Sequence, residues 1–211
     1  MRYPNILLDF DGTVARSHPG IEGAVACGAA RIGKSADLSQ HWKFIGPHPR
    51  DYAIRWLGAT EEEGDRFFEG YQDYYNREGW KNCSYFEGME DLLDDLRGAG
   101  CKIYLCTSKP LESILPMIER MELRLDGMGA ALLDRGITAK RDVMGRLLQD
   151  CGLDPARCVM VGDHKGDVLA AGQFGMDSIA ALYGYCREED MLPLRPTYAV
   201  RSVEELRGIL L

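Results

Sequence analysis

No stretch of the sequence approaches the ~18 continuous apolar residues that a membrane-spanning helix needs, so no membrane partner is expected. The N-terminus lacks a basic n-region, an apolar h-region and a small-residue cleavage site, and a cytoplasmic location is the corresponding expectation. Basic residues are in the minority: 25 Lys and Arg stand against 33 Asp and Glu, for a net charge of −8. That balance argues against a broad phosphate-backbone surface, and hence against a nucleic-acid partner. It leaves room for a small anion at a locally positive site. The seven cysteines are odd in number, scattered and without CxxC spacing, which excludes a disulfide framework and a thiolate zinc site. The four histidines, at positions 18, 41, 48 and 164, show no metal-binding spacing.

What is present is an ordinary globular composition, 45% hydrophobic and 27% charged over 211 residues. This is enough for one good-sized domain, or a domain carrying a smaller insertion. A short apolar strand, Ile6 to Leu8, runs into "DFDGT" (9–13) and then strand patterning stops until about residue 101. The intervening stretch predicts helices over roughly 21–33, 38–44, 49–57 and 61–77. From residue 86 onward amphipathic helices alternate with short apolar strands: "CKIYLCTSK", "GAALLD", "CVMVGD", "SIAALYG" and "TYAV". Such alternation predicts an α/β fold, a Rossmann-like doubly wound parallel sheet covered on both faces. The expected organisation is a discontinuous core, residues 1–14 and 85–211, with a small α-helical cap domain inserted over 15–84.

Ligands of such sheets bind beyond the carboxyl ends of the strands, and the residues ending these strands are Asp9, Asp11, Thr107, Ser108, Asp163 and Asp167. If Asp9 and Asp11 stay extended, their side chains point the same way and repel each other unless compensated. "VGDHKGD" brings two more acids to another strand end. Several carboxylates with no cysteine among them suit a hard cation held by oxygen, and Mg²⁺ is the natural choice. Lys140 opens a predicted helix and Lys109 follows the second strand, so positive charge and the Thr107 hydroxyl reach the same rim. A cation, a lysine and hydroxyl or amide donors around a carboxylate make a site for phosphoryl transfer. An aspartate can itself be the nucleophile there.

"DFDGT" (9–13), "CTSKP" (106–110), "TAK" (138–140) and "VGDHKGD" (161–167) together resemble the four ordered motifs of the haloacid dehalogenase-like (HAD) hydrolase superfamily. The helical insertion resembles that family's C1 cap. "WKFIGPHPRD", "DGMGAALLDRGITAK" and the "YGYCREEDM" tail resemble its phosphoglycolate phosphatase branch. The resemblance implies a Mg²⁺-dependent phosphatase acting on a small phosphorylated metabolite through an aspartyl-phosphate. It makes Asp9 the nucleophile and a metal ligand. Asp11 becomes the general acid and then base, giving the metal its backbone carbonyl. Thr107 and the amides after it would hold phosphoryl oxygens, Lys140 would neutralise nucleophile and phosphate, and Asp163 and Asp167 would complete the metal site. Gly12 would let the backbone turn beside the phosphate, and Ser108 and Lys109 would line the substrate site. Ser108 departs from the asparagine of several phosphoglycolate phosphatases, which weakens transfer of that particular substrate.

Arg50, after the Gly46-Pro47 break, is a candidate substrate group from the cap, against the plainer reading of a surface arginine. The stripe of Phe67, Tyr71, Tyr74 and Tyr75 reads as packing within the cap rather than an aromatic lid. Within the same superfamily the alternatives are a β-phosphoglucomutase-like phosphomutase and a 5′-nucleotidase or pyrophosphatase. A phosphonatase would want a cap lysine (Lys34, Lys43 or Lys81), none in a convincing context. Outside it stands a catalytically silent binding protein, against which every filled motif position speaks.

Overall fold

Ile6, Leu7 and Leu8 are apolar toward both sides of an extended chain, which suits the middle of a sheet covered on both faces. In the computed structural model, which describes residues 2–211, all three are buried. Strand β1 (Asn5–Leu8) is followed by β2 (Ala15–Arg16), helices α1 (His18–Arg31), α2 (Pro49–Leu57) and α3 (Glu61–Arg77), and β3 (Ser84–Tyr85). Then come α4 (Met89–Gly98), β4 (Lys102–Pro110), α5 (Leu111–Arg120), β5 (Gly127–Ala131) and α6 (Lys140–Asp150). The chain closes with β6 (Cys158–Gly162), α7 (Lys165–Gln173), β7 (Asp177–Ala181), α8 (Glu188–Met191), β8 (Tyr198–Val200) and α9 (Val203–Leu210).

The main sheet has six strands in the order β5-β4-β1-β6-β7-β8, and its pairings are parallel. This is the doubly wound α/β architecture that the strand–helix alternation predicts. After β1 the chain winds outward through β4 and β5, then returns to β6 on the other side. The order reverses at β1, and a crevice opens there beyond the carboxyl ends. Register fixes what lines it. Leu8 is level with Leu105 of β4 and with Val161 of β6. The next positions are therefore Asp9, Cys106 and Gly162, with Thr107 and Asp163 one step on. Side chains alternate between the faces: Leu7, Tyr104, Cys106, Cys158 and Met160 form one core with Val143, Met144 and Leu147 of α6 and Ala170 and Ala171 of α7.

Contacts divide the chain into two units, one of the described residues up to Arg16 with Tyr85–Leu211, the other Ser17–Ser84. In the second unit α3 begins with a reciprocal cap. The Glu63 amide donates to Thr60 Oγ1 at 3.2 Å and the Thr60 amide to the Glu63 carboxylate at 2.9 Å. Phe67 and Tyr75 are buried within this unit, Tyr71 stacking on Tyr75 at 5.7 Å between ring centres. Two expectations need correction. Helix α1 starts at His18, three residues early, because Pro19 is pre-set for the first turn. The helix expected over 38–44 shrinks to one 3₁₀ turn, His41–Lys43. Asp37 is the cause: its carboxylate accepts from the Ser39 amide at 3.0 Å, the Ser39 hydroxyl at 2.6 Å and the Gln40 side chain at 2.6 Å. Those bonds hold the backbone in a turn that competes with helix.

Candidate active site

Asp9 follows β1 directly, its amide donating to Val161 of the neighbouring strand at 2.9 Å. Its Oδ1 accepts from the Phe10 amide and lies beside Lys140 Nζ, both at 2.8 Å, which fixes the rotation of the carboxylate. Lys140 is the first residue of α6 and is itself buried. Its ammonium also lies 2.8 Å from Asp167 Oδ1 and donates to the Cys106 carbonyl at 2.9 Å. The ammonium thus stands between two carboxylates and one carbonyl. Burial works against the charged ammonium, but Asp167 and Asp9 outweigh it and hold Lys140 above the ordinary lysine range.

Asp163, next after β6, is also buried. Its Oδ2 accepts from the Tyr185 amide at 2.8 Å. Asp167 Oδ2 accepts from the His164 amide at 3.0 Å, as the reciprocal half of the cap that starts α7. Oxygens of Asp9, Asp163 and Asp167 lie within 4.8 Å of one another. Burial raises the Asp9 carboxyl, Lys140 opposes that, and Asp167 and Asp11 add to it, leaving it at about 6. Burial and then the Asp9 charge push Asp163 well above the usual carboxylate range. Three buried carboxylates against one ammonium leave an excess of negative charge that a cation would relieve. An all-oxygen donor set fits a hard divalent ion.

Asp11 is treated differently. Lys109 Nζ lies 3.0 Å from its Oδ2, while its Oδ1 is buried without a hydrogen-bond partner. The two acids of "DFD" thus have separate lysines. Thr107 is buried, and its hydroxyl accepts from the Lys109 amide at 3.1 Å, so its own hydrogen remains to be donated. Gly12 has φ +78°, and a Cβ there would sit 2.0 Å from Asp163 Oδ2. Glycine is required both by the turn and by the closeness of the carboxylate.

The pattern matches a known family: the model of the haloacid dehalogenase-like hydrolases aligns with residues 6–181. A 5′-nucleotidase of Pseudomonas aeruginosa is 30% identical, the match covering 100% of this chain and 96% of that protein. A phosphoglycolate phosphatase of Psychrobacter arcticus is 26% identical over 98% of this chain and 95% of its own. Among solved structures, a putative phosphatase from Clostridium difficile superposes with a TM-score of 0.91 at 28% identity, covering 100% of both chains. The chain belongs to the haloacid dehalogenase-like hydrolase family.

In this hydrolase the strand ends bring together Asp9, Asp11, Gly12, Thr107, Lys109, Lys140, Asp163 and Asp167. Ser108 is exposed at the end of β4. Arg50 belongs to the second unit, where Glu61 and Asp65 take up its guanidinium. The sequence reading missed the segment after β7. Tyr185 holds Asp163 through its amide, and the Tyr183 hydroxyl donates to the Thr13 carbonyl at 3.1 Å. Burial pushes the Tyr183 phenol far up, so it stays a donor. Between them a Cβ on Gly184 would meet Asp163 Cβ at 2.2 Å and the Gly12 carbonyl at 2.4 Å. A glycine between two tyrosines directly after an apolar strand was the available signal. No helix among the described residues is long and apolar enough to cross a membrane.

Proposed function

We propose that this hydrolase is a Mg²⁺-dependent phosphatase that cleaves a small phosphorylated metabolite through an aspartyl-phosphate on Asp9. The observation that carries the reading is the separate treatment of two neighbouring carboxylates. Asp9 is buried against Lys140 within reach of Asp163 and Asp167, while Asp11 is paired with Lys109. A nucleophile benefits from a fixed rotamer and charge compensation. A proton-transfer group must instead reach the leaving oxygen and then a water.

Asp9, Asp163 and Asp167, with the Asp11 carbonyl, are the groups that would hold Mg²⁺. When bound, the cation supplies charge neutralisation for the phosphoryl oxygens and the attacking carboxylate. The Thr107 hydroxyl, held by the Lys109 amide, and the Ser108 amide orient the phosphoryl group. Asp9 attacks phosphorus, the ester P–O bond breaks, and Asp11 gives its proton to the departing alcohol. Asp11, now a carboxylate, takes a proton from water as that water attacks the phosphorus of the aspartyl-phosphate. The P–O bond to Asp9 breaks, releasing phosphate and restoring both acids. Lys140 stays ammonium throughout, offsetting the negative charge that gathers on Asp9 and phosphate.

The substrate class is phosphoglycolate-like or a nucleoside 5′-monophosphate; the full-length 5′-nucleotidase relative is what favours the second. The helical unit, inserted in the chain after β2, belongs to the same proposal as the selector of the leaving group. Phosphate release in Mg²⁺ should be measured over a panel of 2-phosphoglycolate, nucleoside monophosphates, sugar phosphates and pyrophosphate. Asp9→Asn is expected to lower turnover at least ~10³-fold, with circular dichroism unchanged. Undiminished turnover in that variant overturns the nucleophile assignment. Isomerisation of a sugar phosphate primed by a bisphosphate, with little phosphate released, identifies a mutase instead.

A further inference from the structure

The helical unit holds a second cluster that the phosphatase chemistry does not use. His18 and Glu22 are four residues apart on α1, so their side chains lie on one face of that helix. His41, from the 3₁₀ turn that Asp37 helps to set, meets them there. Its Nε2 is 2.6 Å from Glu22 Oε1, and its ring centre is 4.9 Å from that of His18. One donor atom from each of the three residues falls within 4.8 Å of the others. All three side chains are half-buried, His41 and Glu22 each 29% exposed, which leaves a path for an ion and for water. Sequence spacing shows none of this, because His41 lies 19 positions beyond Glu22.

We propose that His18, Glu22 and His41 form a second cation site, selective for a borderline ion of the Zn²⁺ type. Two imidazole nitrogens and one carboxylate are a donor set that zinc accepts at three positions, water taking the fourth. The site at the strand ends offers only oxygens and suits Mg²⁺, so donor chemistry sorts the two ions within one chain. The consequence is structural. Residues 32–48 contain only one 3₁₀ turn, and an ion bound by His41 and α1 would tie that stretch to the helix. Closing a loop of this kind with a metal clip stabilises the folded state.

The test uses the full chain, stripped with chelator and returned to buffer containing excess Mg²⁺. Zn²⁺ binding is followed by calorimetry, and Co²⁺ binding by its visible spectrum. The expected result is one equivalent of Zn²⁺ bound despite the Mg²⁺, with a raised melting temperature. Co²⁺ should give d–d bands without a thiolate charge-transfer band, which sets this site apart from the exposed thiols of Cys27 and Cys151. Replacing His18→Asn with His41→Asn should weaken Zn²⁺ at least ~100-fold, the upper end of what loss of an outer-shell partner costs. Asp163→Asn should leave Zn²⁺ binding unchanged. Glu22→Gln, which keeps the side chain's size, should weaken it about tenfold or more and decides the matter if the double variant fails to fold. No Zn²⁺ binding in Mg²⁺, binding untouched by the His18, His41 or Glu22 changes, a thiolate band, or loss in Asp163→Asn would each overturn the proposal. None of these results depends on whether the protein releases phosphate.

Discussion

Lys140 sits between two acids, 2.8 Å from each of Asp9 and Asp167, with a side chain only 7% exposed. Removing one member of such a buried group leaves uncompensated charge behind. Lys140→Met would strand two buried carboxylates beside a third, Asp163. The expected cost in metal-free protein is about 3–5 kcal/mol, a fall in melting temperature on the order of 10 °C. Mg²⁺ should recover part of that loss, because the same carboxylates would hold the cation more readily once the competing ammonium is gone. Turnover should still fall at least ~10²-fold, since a charge aimed at the attacking group is missing. Melting with and without Mg²⁺ checks this, and a metal-free variant as stable as the parent would contradict the pairing. Asp11 stands outside this group and is more exposed than either acid paired with Lys140. Its partner Lys109 comes from the end of β4 rather than from a helix start.

The connection after β7 is where an element, rather than a residue, positions the chemistry. The sequence Tyr183-Gly184-Tyr185 passes so close to Asp163 that no side chain fits at its centre. Gly184→Ala should push this segment away and loosen the 2.8 Å bond from the Tyr185 amide. The expected losses are about 1–3 kcal/mol of stability from overpacking and roughly tenfold in Mg²⁺ affinity from an unsettled ligand. Calorimetric titration of Mg²⁺ into the variant reads the second directly, and unchanged affinity would refute the positioning role. This contact also marks the limit of what the sequence discloses. Strand ends were legible because apolar runs stop at acids, and alternation with helices sets a parallel sheet. The helix at 61–77 was legible because its aromatic stripe is local. The partner of Asp163 was not, since Tyr185 reaches it across 22 positions through a backbone amide that any residue supplies. The failed helix at 38–44 follows the same logic, Asp37 redirecting the backbone by side-chain bonds that periodicity does not register. Arg50 shows the converse, a plausible substrate group whose neighbours Glu61 and Asp65 lie within one turn of each other on α3.

At the scale of the molecule, a net charge of −8 is partly concentrated in one buried cluster, so proton and cation compete for the same oxygens. Burial, opposed by Lys140 and reinforced by Asp167 and Asp11, raises Asp9 from 3.8 to about 6 in the folded protein without metal. Between those values the folded state keeps a proton that the unfolded chain has released. Its contribution to stability is therefore full below the unfolded pKa and is lost as pH rises through the folded one. Asp163 shifts in the same direction, with burial again the leading cause. Metal-free protein should accordingly lose stability as pH climbs from about 4 through about 6. Mg²⁺ acts in the opposite sense: it binds the deprotonated carboxylates and stabilises by mass action. The rise in melting temperature that saturating Mg²⁺ produces at pH 7.5 should therefore shrink steadily toward pH 5. Thermal melts in Mg²⁺ and in chelator across that range measure it. Asp163→Asn adds a sharper comparison, because it removes a buried charge while leaving an acceptor for the Tyr185 amide. That variant should melt a few degrees higher than the parent in chelator at pH 7.5 and gain little from Mg²⁺ at any pH. An Mg²⁺ effect independent of pH, or an Asp163→Asn variant that melts lower in chelator, would show that the buried carboxylates are not the groups linking metal, proton and stability.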